Sequence, residues 1–218
     1  MVYLVPLDGA PVKKVQKKDA GAGETASTKA NAIVLAGLRL FTQYGYRKTS
    51  VDDIAQEAQV AKRTVYLHFE NKAAVFLAIL EYLGDQVRQR CAAAESASGT
   101  AVDRLTGLLE AYFGMAFELF TKSKHMPELE ETFSKLARTT IDGLNAEYQK
   151  RIARFLRSLQ KTGEIGAPPQ GLSVEQVVEI LIRSAEGAKH AAKVQGDRKA
   201  LELSLRQSAT LAIAAMRE

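Results

Sequence analysis

The sequence predicts an all-α protein, and three observations carry that prediction. Apolar residues recur at helical spacing from Ser27 onward. No segment shows a convincing alternation of apolar and polar residues of the kind that marks a half-buried strand. Several apolar segments begin with a Ser, Thr or Asn that can cap a helix. With 46% hydrophobic residues, a chain of 218 residues can bury one sizeable core or two small ones.

The distribution of charge separates the N-terminal third from the rest of the chain. Residues 1–72 contain 11 Lys or Arg against 7 Asp or Glu, whereas residues 73–218 contain 19 against 18. A basic end on a nearly neutral body favours contact with a polyanion, and an arbitrary scatter of surface charge is the alternative. Residues 1–26 are rich in Gly, Ala and Lys without periodicity, which indicates a disordered basic arm.

The first four helices follow from apolar spacing and capping residues. Helix 1 is expected over residues 28–44, ended by Gly45, with these inward candidates: Ile33, Leu40, Phe41 and Tyr44. Ser50-x-x-Asp53 is a capping box that opens a short helix 2. A tight turn leads to helix 3 over residues 62–69. Asn71 then caps helix 4, which continues to about residue 95.

Five further helices are expected in the larger C-terminal part, which makes about nine in all. Thr100-x-x-Asp103 opens helix 5, residues 101–122, which is apolar on most sides and therefore belongs in an interior. Pro127 suits the first turn of helix 6, and helix 7 continues to about Lys161. Ser173-x-x-Gln176 caps helix 8, and a Gly-Asp pair separates helix 8 from helix 9.

Helices 2 and 3 have the features of a helix-turn-helix. Each is about two turns long, and a helix of that length is not stable without packing on a scaffold. Val65 and Phe69, at i and i+4, can face a core together with Ile54, Val60 and Phe76. The remaining side chains of helix 3 then face outward, where a DNA major groove would lie: Lys62, Arg63, Thr64, Tyr66, Leu67 and His68.

Residues 35–80 resemble the N-terminal DNA-binding domain of the TetR family of bacterial transcriptional regulators. Phe41 and Gly45 match the end of helix 1, and a Thr-Val-Tyr-x-His-Phe run at residues 64–69 matches the signature of helix 3. Three positions depart from the family pattern. Gln59 stands where the turn usually has Gly, Ala61 stands where a Ser often caps helix 3, and Arg63 replaces a commonly small residue.

The resemblance implies roles for individual residues on the DNA-facing side. The phosphate contacts it implies are Thr49 or Ser50, Tyr66, His68 and Lys72, and the candidates for reading base edges are Lys62, Arg63, Thr64 and Leu67. Ordinary packing between helices 3 and 4 is the alternative for Tyr66 and His68. Residues 27–72 are accordingly assigned to a helix-turn-helix DNA-binding domain, and residues 73–218 to a helical sensor and dimerisation domain.

Helices 8 and 9 are crowded with small residues that allow close helix packing. In the resembled family these helices pair with those of a second copy, so a homodimer is expected. The residues assigned to that seam are Leu181, Ala185, Ala188, Ala192, Leu205, Ala209, Ala212 and Met216. The alternative is that these side chains form an internal core within one chain.

Helix 5 is the expected wall of a ligand cavity. Phe113, Phe117 and Phe120 recur at i, i+4 and i+7, and Met126 and Phe133 follow soon after. Ligand pockets are mostly apolar with a few placed polar groups, for which His125 and Arg183 are candidates. The alternative reading is an ordinary aromatic core.

The sequence therefore predicts a ligand-responsive transcriptional regulator in the cytoplasm. We expect a repressor that binds a pseudo-palindromic, double-stranded operator as a dimer and is released by a small apolar effector of unknown identity. Cys91 is the only cysteine, which excludes an intrachain disulfide and fits the reducing cytoplasm. No cofactor or metal site is expected, and no membrane association is expected because no apolar run reaches the roughly 18 residues of a membrane span. The alternatives are a helical protein-interaction module without sequence-specific DNA binding and an enzyme, for which no nucleophile, phosphate-loop or metal motif is found.

Overall fold

The computed structural model describes residues 22–121, 123–169 and 171–216, without the side chains of residues 22–27 and 120. These residues form nine helices and no strand. The helices are α1 Ala22–Tyr44, α2 Val51–Glu57, α3 Lys62–His68, α4 Lys72–Ser96, α5 (residues 101–121), α6 Met126–Leu136, α7 Arg138–Lys161, α8 Val174–Gln195 and α9 Arg198–Ala215. None of them combines the length and apolar character that a membrane crossing requires.

Helix α5 changes geometry along its length. It is α-helical over Ala101–Leu109, π-helical over Glu110–Gly114 and α-helical again over Met115–Thr121. Single π-helical turns inside α-helices are frequent at functional sites. The segment lies in the middle of the C-terminal part, where α5 contacts both α4 and α9.

The capping patterns mark the helix starts as the sequence predicts. Ser50, Thr100 and Ser173 each accept a hydrogen bond from the backbone N–H three residues later, and the side chain at that position binds back to the cap. The Asn71 side chain accepts from the Ala74 N–H at the start of α4. The start of α1 differs: the helix begins at Ala22 and so includes the last residues of the predicted arm. The rest of that arm lies outside the described residues.

The N-terminal core is larger than the predicted DNA-binding domain. It joins α1, α2 and α3 to the first half of α4, and it includes Met126, Leu129 and Ala137 from α6 and the residue that follows it. The inward prediction for helix 3 is confirmed, because Val65 is 1% exposed and Phe69 packs against the same core. Tyr44, predicted to face inward, is instead 49% exposed. Tyr46 packs against Phe41 and Phe76 in its place.

A second core fills the C-terminal part between the last half of α4, α5, α7, α8 and α9. Helices α8 and α9 form an antiparallel pair, joined at Gly196, whose φ of 67° ends α8. The predicted dimer seam lies inside this core. Among those residues Ala185, Leu205 and Ala209 are fully buried, and Ala188 and Ala212 are half-buried against the same cluster. The fully buried members of this stripe therefore close the core of one chain, which is the alternative given above, whereas the half-buried Ala188 and Ala212 stay candidates for a dimer interface.

Candidate DNA-binding surface and ligand cavity

The turn between α2 and α3 is held by a Schellman motif. The N–H of Val60 donates to the carbonyl of Ala55 at 3.0 Å, and the N–H of Gln59 donates to that of Gln56 at 3.1 Å. Gln59 has a φ of 55°, the left-handed conformation that the family usually gives to Gly. Ala61 provides no side-chain cap for α3. The turn therefore keeps its geometry despite both departures from the family pattern.

Helix α3 presents one side to the core and the other to solvent. Leu67 is 72% exposed and Tyr66 is 49% exposed. Lys62 and Arg63 are exposed, and Lys62 forms an ion pair with Asp52 of α2 at 2.9 Å. That hydrogen bond with Asp52 raises the pKa of Lys62. Thr64 and His68 are half-buried at the edge of this surface. Every outward candidate on α3 thus has some solvent-accessible surface.

Lys72 fixes the loop between α1 and α2. Its ammonium donates to the carbonyls of Tyr46 and Thr49, both at 2.8 Å, and lies 4.3 Å from the centre of the Tyr46 ring. Burial lowers the pKa of Lys72. A lysine has three N–H donors, so one remains for a phosphate.

Thr49 and Ser50 differ in what they can offer to DNA. Thr49 is 3% exposed, and its hydroxyl donates to the carbonyl of Gly45 at 2.8 Å. Its side chain therefore holds the loop in place, which leaves Ser50 as the phosphate candidate of the two. Ser50 is exposed, although its hydroxyl is engaged with Asp53 in the capping box.

Helix α6 holds the same loop from the other side. The backbone N–H of Arg47 donates to the Glu128 carboxylate at 2.5 Å, and the Arg47 guanidinium pairs with Glu131 at 2.7 Å. A Cβ on Gly45 would run into Glu128, so the close approach needs glycine there. The Ser123 hydroxyl donates to the carbonyl of Thr42 at 2.7 Å. The loop that supports α2 is thus fixed by α4 and by α6 together.

A cavity of about 260 Å³ lies between α4, α5, α6 and α7. Its wall is mostly apolar: Leu80, Leu83, Gly84, Val87, Cys91, Met115, Ala116, Leu119, Phe133, Ile141 and Leu144. Its polar end is formed by Arg88, Tyr112, Asn145, Glu147, Tyr148 and Arg151. A mostly apolar wall with a few polar groups at one end is the usual composition of a small-molecule site.

Only part of the predicted ligand wall lines this cavity. Phe133 does, and its ring also lies 5.2 Å from that of Phe76 in the N-terminal core. Phe113 and Phe117 are buried on another side of α5, where Lys189 of α8 lies 5.7 Å from the Phe113 ring. The cavity stripe of α5 is Tyr112, Met115, Ala116 and Leu119. The assignment of Phe113 and Phe117 to the cavity is therefore wrong, and the side chain of Phe120 lies outside the described residues.

The other predicted ligand contacts lie away from the cavity wall. Met126 is buried in the N-terminal core. His125 lies at the start of α6, with its Nδ1 4.0 Å from Glu128. Arg183 is exposed on α8 and pairs with Glu179. These three residues do not line the cavity, because residues close in sequence to a cavity helix need not be on the face that meets the cavity.

The polar end of the cavity includes residues that the sequence analysis did not single out. Tyr112 and Tyr148 stack with ring centres 4.8 Å apart, and burial raises the pKa of Tyr112 to about 12. Arg151 binds Glu95, 56 positions earlier in the chain. No local pattern signals such a pair. Tyr112 alone could have been suspected, since it lies within the aromatic run of α5.

The sequence comparisons agree with this arrangement of a helix-turn-helix beside a helical body. Residues 33–79 match the family profile described as bacterial regulatory proteins, tetR family. The transcriptional regulator AcuR of Cereibacter sphaeroides is 28% identical over 173 residues, which cover 75% of this chain and 78% of AcuR. The transcriptional repressor DhaR of a Mycobacterium species is 27% identical over 175 residues, which cover 78% of this chain and 85% of DhaR.

A structural comparison gives the same fold for nearly the whole described chain. The crystal structure of a regulatory protein TetR from Rhodobacter sphaeroides superposes with a TM-score of 0.63 at 23% identity, covering 83% of this chain and 96% of that one. The fold, the exposed recognition helix and these relatives define a DNA-binding transcriptional regulator. Residues 33–79 thus carry the DNA-binding domain of the TetR family of bacterial regulatory proteins.

Proposed function

We propose that the chain is a dimeric repressor whose operator binding is weakened when a small, mostly apolar effector occupies the cavity of α4–α7. The observation that carries this proposal is that one helix serves both sites. Leu80, Leu83 and Val87 of α4 line the cavity, whereas Val75 and Phe76 of the same helix belong to the core that supports α3. A ligand that displaces α4 would therefore also move α3, the helix proposed to read the DNA.

The exposed side of α3 supports the DNA-binding half of the proposal. Arg63 and Lys62 bring donors suited to guanine or phosphate, and Thr64 and Leu67 offer a hydroxyl and an apolar contact for base edges. Tyr66 and His68 provide phosphate donors at the rim, with Ser50 and the remaining donor of Lys72 beside them. Lys62 can release Asp52 and bind DNA instead, because an exposed ion pair contributes only about 0–1 kcal/mol to the stability of the protein.

An exposed apolar face on α8 and α9 supports the proposal that the protein forms a dimer. Ile180 is 56% exposed and Val194 is 77% exposed on α8, while Leu203 and Leu211 of α9 are 58% and 72% exposed. The Ser184 and Ser208 hydroxyls meet at 2.9 Å between the two helices on this side. A second copy packed on this face would form a four-helix arrangement and would present two copies of α3 to half-sites about one DNA turn apart.

The proposed response to an effector is supported by the cavity and by two helices that connect the cavity to the DNA-binding surface. Besides α4, α6 joins the sites, since Phe133 lines the cavity and Glu128 holds the loop before α2. An effector that prefers the DNA-incompetent conformation by about 1–3 kcal/mol would weaken operator binding roughly 5–150-fold. Repression, as distinct from activation, is supported by the relative DhaR, which is named a transcriptional repressor.

The experiment that tests this function is the selection of bound sequences from a random duplex pool. Wild type should enrich a motif with two-fold symmetry. Arg63→Ala should relax the preference at one position of each half-site, because a bidentate contact to a base contributes about 1–3 kcal/mol of discrimination. Tyr66→Phe should weaken binding to all sequences alike, as the loss of a phosphate contact does.

The selection includes a control variant outside the DNA-binding surface and a check that each variant is folded. Gln149→Ala changes an exposed residue of α7, far along the chain from α3, and should leave the enriched motif unaltered. Circular dichroism should give the same helical signal for each variant. Enrichment of the same motif with the same affinity by wild type, Arg63→Ala and Tyr66→Phe would overturn the proposed contacts. The absence of any enriched motif with a folded wild type would overturn operator binding in the free state.

A further inference from the structure

The polar end of the cavity contains two arginines, and both are engaged with acceptors of the protein. Arg88 binds Asp85 through Nε and Nη2, at 3.1 and 2.6 Å, and Glu147 through Nη1 at 2.9 Å. Arg151 binds Glu95 through Nε and Nη2, at 2.8 and 2.7 Å, and donates to the carbonyl of Arg88 through Nη1. Every nitrogen of both guanidinium groups therefore already has an acceptor within the protein.

The balance of charge at this end also disfavours an anion. The two guanidinium groups are surrounded by four carboxylates, because Glu81 lies 3.9 Å from Arg88 in addition to Asp85, Glu95 and Glu147. A carboxylate ligand would have to displace one of these partners and remain among the others. Like-charge neighbours make such an exchange unfavourable in a partly buried site.

Asn145 presents an unused hydrogen-bond donor at the same end. The Tyr112 hydroxyl donates to the Asn145 Oδ1 at 2.7 Å, which turns the amide nitrogen away from Tyr112. Among the described residues this nitrogen has no acceptor. The Tyr148 hydroxyl is already committed to the carbonyl of Leu108 at 2.9 Å. The Asn145 amide nitrogen is therefore a donor of the cavity wall without any acceptor in the described part of the protein, whereas each arginine nitrogen already has one.

The size of the cavity limits the ligand further. With about 260 Å³, the cavity suits a small organic molecule. The apolar wall from Leu80 to Leu144 surrounds most of this volume, so most of the ligand must be hydrocarbon or similarly apolar.

We propose that the effector is an uncharged molecule of this size, with an apolar body and one hydrogen-bond-accepting oxygen that binds the Asn145 amide. This inference rests on the proposed function, in which the cavity is the effector site. A carbonyl or ether oxygen has the required chemistry, and an ionised carboxylate does not, because the neighbouring carboxylates oppose it. Asn145 is then the residue that selects oxygenated molecules over plain hydrocarbons.

The test measures the binding of four probes to the full chain by calorimetry near neutral pH. Hexanamide, hexanoate and hexylammonium have nearly the same length and differ in charge, and toluene has no hydrogen-bonding group. Hexanamide should bind at least about tenfold more tightly than hexanoate. Asn145→Ala should weaken hexanamide binding roughly three- to tenfold, as expected for one hydrogen bond, and should leave toluene binding unchanged. Gln149→Ala, on the exposed side of the same helix, is the matched control.

The outcomes separate this inference from the proposed function. Tighter binding of hexanoate or hexylammonium than of hexanamide would overturn the uncharged ligand while leaving the cavity as a binding site. Equal binding of hexanamide to wild type and Asn145→Ala would overturn the role of the amide. The absence of binding by any probe, toluene included, would overturn the cavity as an effector site and the inference with it.

Discussion

At the scale of single residues, Gln59 shows how a local departure from a family pattern is accommodated. Its φ of 55° is a conformation that costs a residue with a side chain about 1–2 kcal/mol. Both hydrogen bonds of the Schellman motif are nevertheless formed, at 3.0 and 3.1 Å. The packing of Ile54, Val60 and Val65 in one core holds the turn in place, so the strain is tolerated.

The first prediction at this scale is that Gln59→Gly stabilises the protein. Relief of the left-handed strain, offset in part by the greater freedom of glycine when unfolded, should raise the free energy of unfolding by about 0.5–1 kcal/mol. Gln56→Gly is the matched control, since the same substitution inside α2 should lower it by about 1 kcal/mol. Urea denaturation measures both. A loss of stability in Gln59→Gly would contradict the argument.

The second prediction concerns the reactivity of Cys91. The thiol is fully buried at the cavity wall, and burial raises its pKa to about 11. Since the thiolate is the reactive form, alkylation by iodoacetamide near pH 8 should be at least about 100-fold slower in the folded chain than in urea. The rate should rise with pH up to about 11 for as long as the chain stays folded. Equal rates in the folded and unfolded chain would contradict a buried, protonated thiol.

At the scale of helices, α4 and α6 are the elements that belong to both parts of the molecule. Helix α4 passes from the N-terminal core to the cavity without a break. Helix α6 contributes Met126 and Leu129 to the N-terminal core and Phe133 to the cavity wall. The loop before α2 is held by Lys72 from the first and Glu128 from the second. A change in the cavity can therefore reach α2 and α3 by two connected routes.

The prediction for this scale is that Glu128→Ala loosens the DNA-binding surface. Without the carboxylate, the Arg47 N–H loses its acceptor, so hydrogen exchange at this amide should become at least roughly tenfold faster. Operator affinity should fall about three- to tenfold, because the loop that positions α2 is less well fixed. Glu130→Ala, on the same helix but paired with Lys193 of α8, should change neither quantity. Unchanged hydrogen exchange at the Arg47 amide in Glu128→Ala would contradict a role of α6 in connecting the cavity to the DNA-binding surface.

At the scale of the whole molecule, the α8–α9 pair has two apolar stripes, one on each side of the pair. The stripe of Leu181, Ala185, Leu205 and Ala209 closes the core of one chain. The opposite stripe keeps large apolar side chains in contact with solvent, and such exposed patches are typical of surfaces that bind a partner. Ile180 and Leu211 lie at the same end of that face, each a turn from the Ser184–Ser208 contact.

At this scale we predict that Leu211→Glu converts the proposed dimer into monomers. A charge at this position would be buried without a partner between two copies, which is strongly unfavourable. Sedimentation should show the mass of one chain, and operator affinity should fall because a monomer contacts one half-site. Leu136→Glu changes a leucine that is 42% exposed and belongs to α6, outside the α8–α9 pair, and should keep the mass of a dimer. A dimeric Leu211→Glu would place the interface elsewhere.

The prediction from sequence succeeded where the interactions are local. The caps at Ser50, Asn71, Thr100 and Ser173 involve residues three positions apart, so the sequence itself contains both partners. The two sides of α3 followed from the spacing of Val65 and Phe69. Phe133 was identified as a cavity residue, but Phe113 and Phe117 were assigned to the wrong side of α5.

By itself, the sequence determined the order of the helices, most of their starts, the helix-turn-helix and the residues exposed on α3. Capping and helical periodicity depend on neighbours along the chain, and both can be read from it. Only the tertiary structure decided which side of α5 meets the cavity and which side of α8 and α9 meets the core. Periodicity shows which residues share a face, whereas what that face contacts depends on distant partners such as Glu95 and Arg151, 56 positions apart.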